Sequence, residues 1–368
     1  MRTTHHKYTI IKSLHARVTG HAYHLMDITC VALLILFSIS LSSCRKELCY
    51  NHWEHSMSVK ADVEATYMAE WEIDYGQHWE DNWDSGRFGS EYDDHRPASP
   101  DGLRIVIYRE DGYEERNIEA EGETVQLYEG GQSLLFYNND TEYLVFDNMH
   151  SSATAVATTR TRTRFSLSGT ESSTETRGYN PPDMLYGYYI DSWQGERKLE
   201  ADYMPVEMSP LVYTYLIEFE FTDGLEYVEK ARGELDGMAT GVYLNSGTTS
   251  GESGVILFDT ESCTVTDRGV LAEVKSFGIP GFPYEDYDGT RADGREYSLV
   301  LEVELRNGAT KRFEPVDVSS QLEQNPRGGV ILATGYEVTD EEGNAGGGGF
   351  DVDVDGWGDY EDIPLPIG

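Results

Sequence analysis

Four groups of residues in this chain have types and spacings that could do chemistry. Near the C-terminus, Asp351, Asp353, Asp355, Gly356, Asp359 and Asp362 fall in the order of a twelve-residue calcium loop, with Asp where a bidentate Glu usually stands. An EF-hand needs flanking helices, and here a glycine run from Gly346 to Gly349 and Pro364 occupy those places. The preferred reading is a strand from Phe350 to Gly356, with Phe350, Val352 and Val354 inward and the aspartates toward water; calcium is the alternative. Cys49, His52 and His55 in CYNHWEH are metal-ligand types, but no fourth ligand can be named, which favours a polar linker. Trp71, Trp79 and Trp83 lie in a stretch rich in Asp, Gly and Tyr; their faces could stack on a sugar, or they could be packing residues. Arg160, Arg162 and Arg164 in TTRTRTRF share one face of an expected strand. They could bind an anion or mark a protease site, though a solvated face meeting carboxylates is preferred. No Gly-x-Ser-x-Gly elbow, phosphate loop, His-Glu-x-x-His helix or paired cysteine motif occurs, so no catalytic reaction is expected.

What would position these groups begins at the N-terminus. Arg2, Lys7, Lys12 and Arg17 precede the apolar run Ile28 to Cys44, which ends in Leu41-Ser42-Ser43-Cys44. A charged n-region, an apolar h-region and a small-residue cut site make a signal peptide. The last four residues resemble the lipobox of bacterial lipoproteins, which implies diacylglyceryl modification of Cys44. The apolar run of roughly 14 residues falls short of the ~20 needed to span a bilayer. The expectation is therefore a signal peptide over 1–43, a lipidated tether over 44–58, and a membrane association through lipid. Met26 offers a second start, but it would leave no base ahead of the apolar run.

Charge bounds the partners. Without the leader's four bases and one acid, 24 Lys and Arg face 65 Asp and Glu, a net of −41. Such a field repels nucleic acid and anionic lipid surfaces. Aromatic residues at 12 %, 25 of them Tyr, with 37 Gly, contradict disorder and point to an all-β exported protein. Cys49 and Cys263, left after the leader and the lipid site, could pair in an oxidising compartment, but the sequence does not bring them together.

From Val59 the chain alternates apolar and polar residues in short runs broken by turn signals. Leu103 to Tyr108 is followed by an Asp111-Gly112 turn. Thr124 to Tyr128, Ser133 to Tyr137 and Glu142 to Phe146 follow in the first half, with Trp71 to His95 read as a long loop. In the second half, strands are expected over Leu211 to Phe221, Val228 to Leu235, Gly241 to Leu244, Gly254 to Phe258, Val270 to Phe277, Tyr297 to Arg306, Lys311 to Val316 and Gly329 to Ala333. The length remaining after the leader suits two domains, and a charged, proline-bearing stretch places the boundary near residues 192–206. The expectation is an all-β fold of two sandwiches, over 59–195 and 206–362.

Three passages resemble the fimbrillin-like lipoproteins of Bacteroidetes: LLFYNNDTEYLVF from Leu134 to Phe146, PDMLYG from Pro182 to Gly187, and GLEYVEKARGELDGMATGVYLNSG from Gly224 to Gly247. The resemblance implies two tandem transthyretin-like β-sandwich domains and a place in or beneath a cell-surface fimbria, with no enzymatic role. It also implies an outer-membrane location, other fimbrial subunits as partners, and assembly in which a strand of one subunit fills a groove in the next. No basic trimming site of polymerising members can be placed here, so anchor, tip and accessory roles stay open. A glycan-binding surface lipoprotein using Trp71, Trp79 and Trp83 is the alternative.

Overall fold

The period-two runs become strands that pair into two β-sandwiches. The computed structural model describes residues 57–162, 178–283 and 295–345. The first sandwich is one sheet folded on itself. Its order is Gly112–Ile118, Leu103–Arg109, Gly130–Asn138, Tyr186–Gly195, Asp202–Pro210, Lys60–Tyr67 and Thr124–Gln126. At the fold only Tyr186 with Pro210 and Gly187 with Ser209 join the two halves. Ala61, Val63, Met204, Val206 and Met208 on one half pack with Leu103, Ile105, Leu134 and Phe136 on the other. Alternate residues of the central strands point the other way: Val106, Leu135 and Tyr137 meet Ala157, Leu185, Val212, Val242 and Phe277. The central strands are thus buried on both faces.

In the second sandwich a four-stranded sheet, ordered Cys263–Val265, Gly269–Ser276, Tyr213–Asp223 and Gly329–Glu337, packs on a longer one through Tyr215, Ile217, Phe219, Leu235, Leu299, Leu301 and Ile331. The longer sheet runs Thr310–Arg312, Ser298–Leu305, Val228–Ala239, Ser253–Phe258, Gly178–Tyr179 and Thr161–Arg162. A three-stranded sheet of Gly241–Tyr243, Val156–Thr159 and Leu144–Asp147 bridges the sandwiches. The described residues from Ser58 onward form one compact unit.

Three expectations need correction. The stretch at 192–206 is not a linker between domains, because Asp202–Pro210 pairs in parallel with Lys60–Tyr67, from Ala61 with Asp202 to Tyr67 with Met208. Met204, Val206 and Met208 alternate into the core while Pro205 faces outward, and a strand tolerates proline where no ladder bond needs its N–H. Nor do the halves separate by sequence. Gly178–Tyr179 joins the second sandwich beside Val255 and Ile256, and Gly241–Tyr243 pairs back with Val156–Thr159. Finally, the stretch TTRTR is not one strand: Val156–Thr159 and Thr161–Arg162 enter different sheets, so Arg160 and Arg162 share no strand face. Arg160 is exposed, Arg162 meets Asp259 at 3.4 Å, and Arg164 lies outside the described residues.

Candidate functional site

The Trp-rich stretch forms a cover. Trp71 is 1 % exposed and packs with Phe88 and Tyr92 against Leu216 and Val330, on the outer face of the four-stranded sheet. Trp83 lies 5.9 Å from Trp71, ring centre to ring centre at 74°, and donates its indole N–H to the Ser90 carbonyl at 2.7 Å. Trp79 is partly buried at the rim. The expected loop therefore exists, with a short helix at Ser85–Phe88 and a 3-10 turn at Tyr92–His95, but its tryptophans serve packing. Trp71 offers no face to a sugar, which corrects its reading as a glycan contact.

Backbone and charge hold the cover down. The Thr214 N–H donates to the Trp71 carbonyl at 2.7 Å, and the Ile73 N–H to the Arg327 carbonyl at 3.0 Å. Gly328, at φ +74°, allows this approach: a Cβ there would sit 2.9 Å from the Trp71 carbonyl oxygen. The Arg87 Nε donates to Glu218 at 2.6 Å, and Glu218 is 3 % exposed. His95, beneath Trp71 and Trp83, takes a 2.8 Å hydrogen bond with Ser90 and lies 3.6 Å from Glu273. The His95 contact, opposed by burial, lowers the pKa of Glu273. Burial raises that of Glu72, against the hydrogen bond it accepts from the Tyr92 hydroxyl at 2.7 Å.

What this cover flanks is an edge. Gly329–Glu337 pairs in parallel with Tyr213–Asp223 on one side, from Tyr215 with Gly329 to Asp223 with Glu337, and among the described residues no strand pairs with it on the other. Ile331, Ala333 and Tyr336 face the inner core, while Val330 and Leu332 face the tryptophan cover. The strand is thus enclosed on both faces, and its sequence from Gly329 to Tyr336 carries no charge. At one point the edge is occupied from within the chain. The Gln321 side-chain amide donates to the Leu332 carbonyl and accepts from the Leu332 N–H, both at 2.8 Å, as a neighbouring strand would. Gln321 stands on the helix Ser319–Gln324, fixed by Leu322 in the core.

Sequence reasoning placed a strand at Gly329 to Ala333 but could not see that it is an edge, or that Gln321 touches it. The uncharged run in so acidic a chain was the available signal. Cys44 with Leu41, Ser42 and Ser43, and Asp351, Asp353, Asp355, Asp359 and Asp362, lie outside the described residues. So do Cys49, His52 and His55. Among the described residues no group of three or more His, Cys, Asp or Glu could hold a metal, and no helix is long and apolar enough to cross a membrane. Cys263 carries a thiol that burial pushes up to about 12.

Residues 92–259 match the model of a domain of unknown function, DUF5119. A candidate fimbrium anchoring subunit, Fim4B of Bacteroides ovatus, is 23 % identical over 294 residues, covering 73 % of this chain and 85 % of that protein. The resemblance to the fimbrillin-like family holds. Among solved structures, a candidate adhesin from Bacteroides ovatus superposes with a TM-score of 0.51 at 18 % identity, over 77 % of this chain and 94 % of that one, which shows the shared β-sandwich fold. The fimbrial anchor protein Mfa2 of Porphyromonas gingivalis gives 0.39 at 10 % identity over 75 % and 90 %.

Proposed function

We propose that this chain is a non-catalytic cell-surface subunit of a fimbria, of anchoring, tip or accessory type, tethered to the outer membrane by lipid on Cys44. It joins a neighbouring subunit by accepting a strand along Gly329–Glu337. The observation that carries this reading is the combination at that edge: both faces are enclosed, the run from Gly329 to Tyr336 is uncharged, and one backbone pair is occupied by a side chain. An added strand would gain main-chain hydrogen bonds along the edge and side-chain contacts at alternate positions. The similarity to a candidate fimbrium anchoring subunit supports the same reading.

The test is incorporation into fibres. Leu332 turns its N–H and C=O to Gln321, so by strand alternation Thr334, which is exposed, presents its N–H to the same open side. Thr334→Pro should leave the ladder to Tyr213–Asp223 intact and stop an incoming strand. Protease shaving of intact cells and analysis of sheared fibres should find the wild-type chain in both surface and fibre fractions, the Thr334→Pro chain on the surface alone, and the Cys44→Ala chain released from the membrane. A wild-type chain protected in intact cells and absent from fibres would overturn the proposal. Equal incorporation of Thr334→Pro would overturn the assignment of the edge.

A further inference from the structure

The bridging sheet carries a second feature, far in sequence from the tryptophans. In its three strands Asp147, Val156 and Tyr243 stand abreast, and Val145, Thr158 and Gly241 form the next row. The residues between the rows, Phe146, Ala157 and Val242, turn inward to the core, so these two rows form the outward face. Over that face lies an open cavity of about 540 Å³, closed on one side by the turn from Ser250 to Glu252. This volume falls within the range of about 300–1,000 Å³ typical of small-ligand sites.

The cavity is built by hydrogen bonds. The Ser250 N–H donates to the Gly241 carbonyl at 2.8 Å, the Tyr243 N–H to the Thr248 carbonyl at 2.8 Å, and the hydroxyls of Thr240 and Ser250 meet at 3.3 Å. Gly241 is required at the floor, because a Cβ there would lie 2.7 Å from the Ala157 carbonyl oxygen and 2.9 Å from the Thr158 methyl. The lining is polar around one aromatic face. Tyr243 is 39 % exposed, with Asp147, Glu252 and Asn148 around it, and among the described residues that line the cavity none is basic.

We infer that this cavity is a binding site for a neutral saccharide unit. An exposed tyrosine ring suits the apolar face of a hexose, while carboxylates accept from vicinal hydroxyls and an amide both donates and accepts. The two carboxylates disfavour an anionic sugar, as does the chain's net charge of −38, although the Arg295 guanidinium donates to the Gly251 carbonyl at 3.2 Å beside the lining. The site is independent of the strand edge, so its failure would leave the fimbrial reading standing.

Affinity electrophoresis of the full chain through native gels containing mannan, galactomannan, dextran or xylan tests it, with polygalacturonate as the anionic control. At least one neutral polymer should retard the chain and polygalacturonate should not. Tyr243→Ala should weaken retardation about tenfold, the scale of one lost aromatic contact with its buried area, while Tyr243→Phe retains it. Asp147→Asn with Glu252→Gln should weaken it, and Trp79→Ala should leave it unchanged. Absence of retardation by all four neutral polymers, retardation that survives Tyr243→Ala, or equal retardation by polygalacturonate would overturn the inference.

Discussion

Two edge strands of this molecule solve opposite problems. Gly112–Ile118 ends the first sandwich's sheet and carries Glu114, Glu115 and Arg116 along its length. Arg116 pairs with Glu114 at 2.6 Å, and Arg104 on the next strand meets Glu115 at 3.3 Å, so an arriving strand would have to displace charges. Gly329–Glu337 ends the other sheet with no charge before Glu337 and a cover on each face. The first edge is guarded by side chains in water; among the described residues the second is met by Gln321 at Leu332 and, at its end, by Lys311, whose ammonium donates to the Glu337 carbonyl at 2.8 Å. An edge that is apolar, enclosed and unpaired by any described strand is a hazard unless it has an intended partner, and that contrast is the ground for proposing it as the assembly surface.

The largest break in the contrast comes from removing the cover. Trp71→Ala should cost about 3–5 kcal/mol, the range for deleting a buried large aromatic, because Trp71 is fully enclosed between Leu216, Val330, Trp83 and Tyr92. Tyr113→Ala on the guarded edge, where the ring is 43 % exposed, should change stability by no more than about 0.5 kcal/mol. Denaturant midpoints for the two variants decide it; comparable losses would mean that the tryptophan stretch does not support the second edge.

A smaller difference should separate the ion pairs. Arg87→Ala leaves Glu218 buried with only Arg268 at 3.8 Å, and should cost about 3 kcal/mol, the lower end for uncovering one buried charge. Arg116→Ala removes the partly exposed partner of a carboxylate that stays in reach of water, and should cost about 1 kcal/mol. If both variants unfold at the same denaturant concentration, the cover is not locked by Glu218.

The two edges were not equally legible in the sequence. Leu103–Arg109 and its turn at Asp111-Gly112 follow from alternation and a turn pair that are local, and the structure places them where the pattern did. Most second-sandwich strands were legible for the same reason. Asp202–Pro210 was hidden because charged residues and two prolines imitate a linker, although Met204, Val206 and Met208 alternate correctly. The fate of Trp71, and of the edge it covers, depends on Leu216 and Val330, more than a hundred residues away in the chain, and no local period records that. Gln321 was illegible for a similar reason: a helix of six residues carries one amide to Leu332 only after the sandwich has formed.

Acid should act on the two edges with opposite sign. Burial raises the pKa of Glu72 in the cover, so protonation favours the folded form there. Its effect is a loss of stability as pH rises from the ordinary carboxyl value through the folded one, and a gain on acidification through that window. Glu114 on the guarded edge is held down to about 2, first by Arg116 and then by the Tyr128 hydroxyl. Its contribution is full above the ordinary carboxyl value and is lost only as pH falls toward about 2; the side chain is 37 % exposed, so solvent screening keeps the effect small. Glu72→Gln should therefore stabilise the chain at pH 7 and lose that advantage as pH falls, because a neutral amide removes the buried charge and keeps an acceptor for Tyr92. Glu114→Gln should lie below the wild type by a small, constant margin at neutral pH and converge with it only as pH falls from about 4.5, the ordinary carboxyl range, toward about 2. Thermal unfolding of both variants across pH 3 to 8 reads the two windows separately. A Glu72→Gln curve parallel to wild type throughout would show that burial of this carboxylate does not govern the cover, leaving Arg87 and Trp71 as the groups that distinguish the enclosed edge from the charged one.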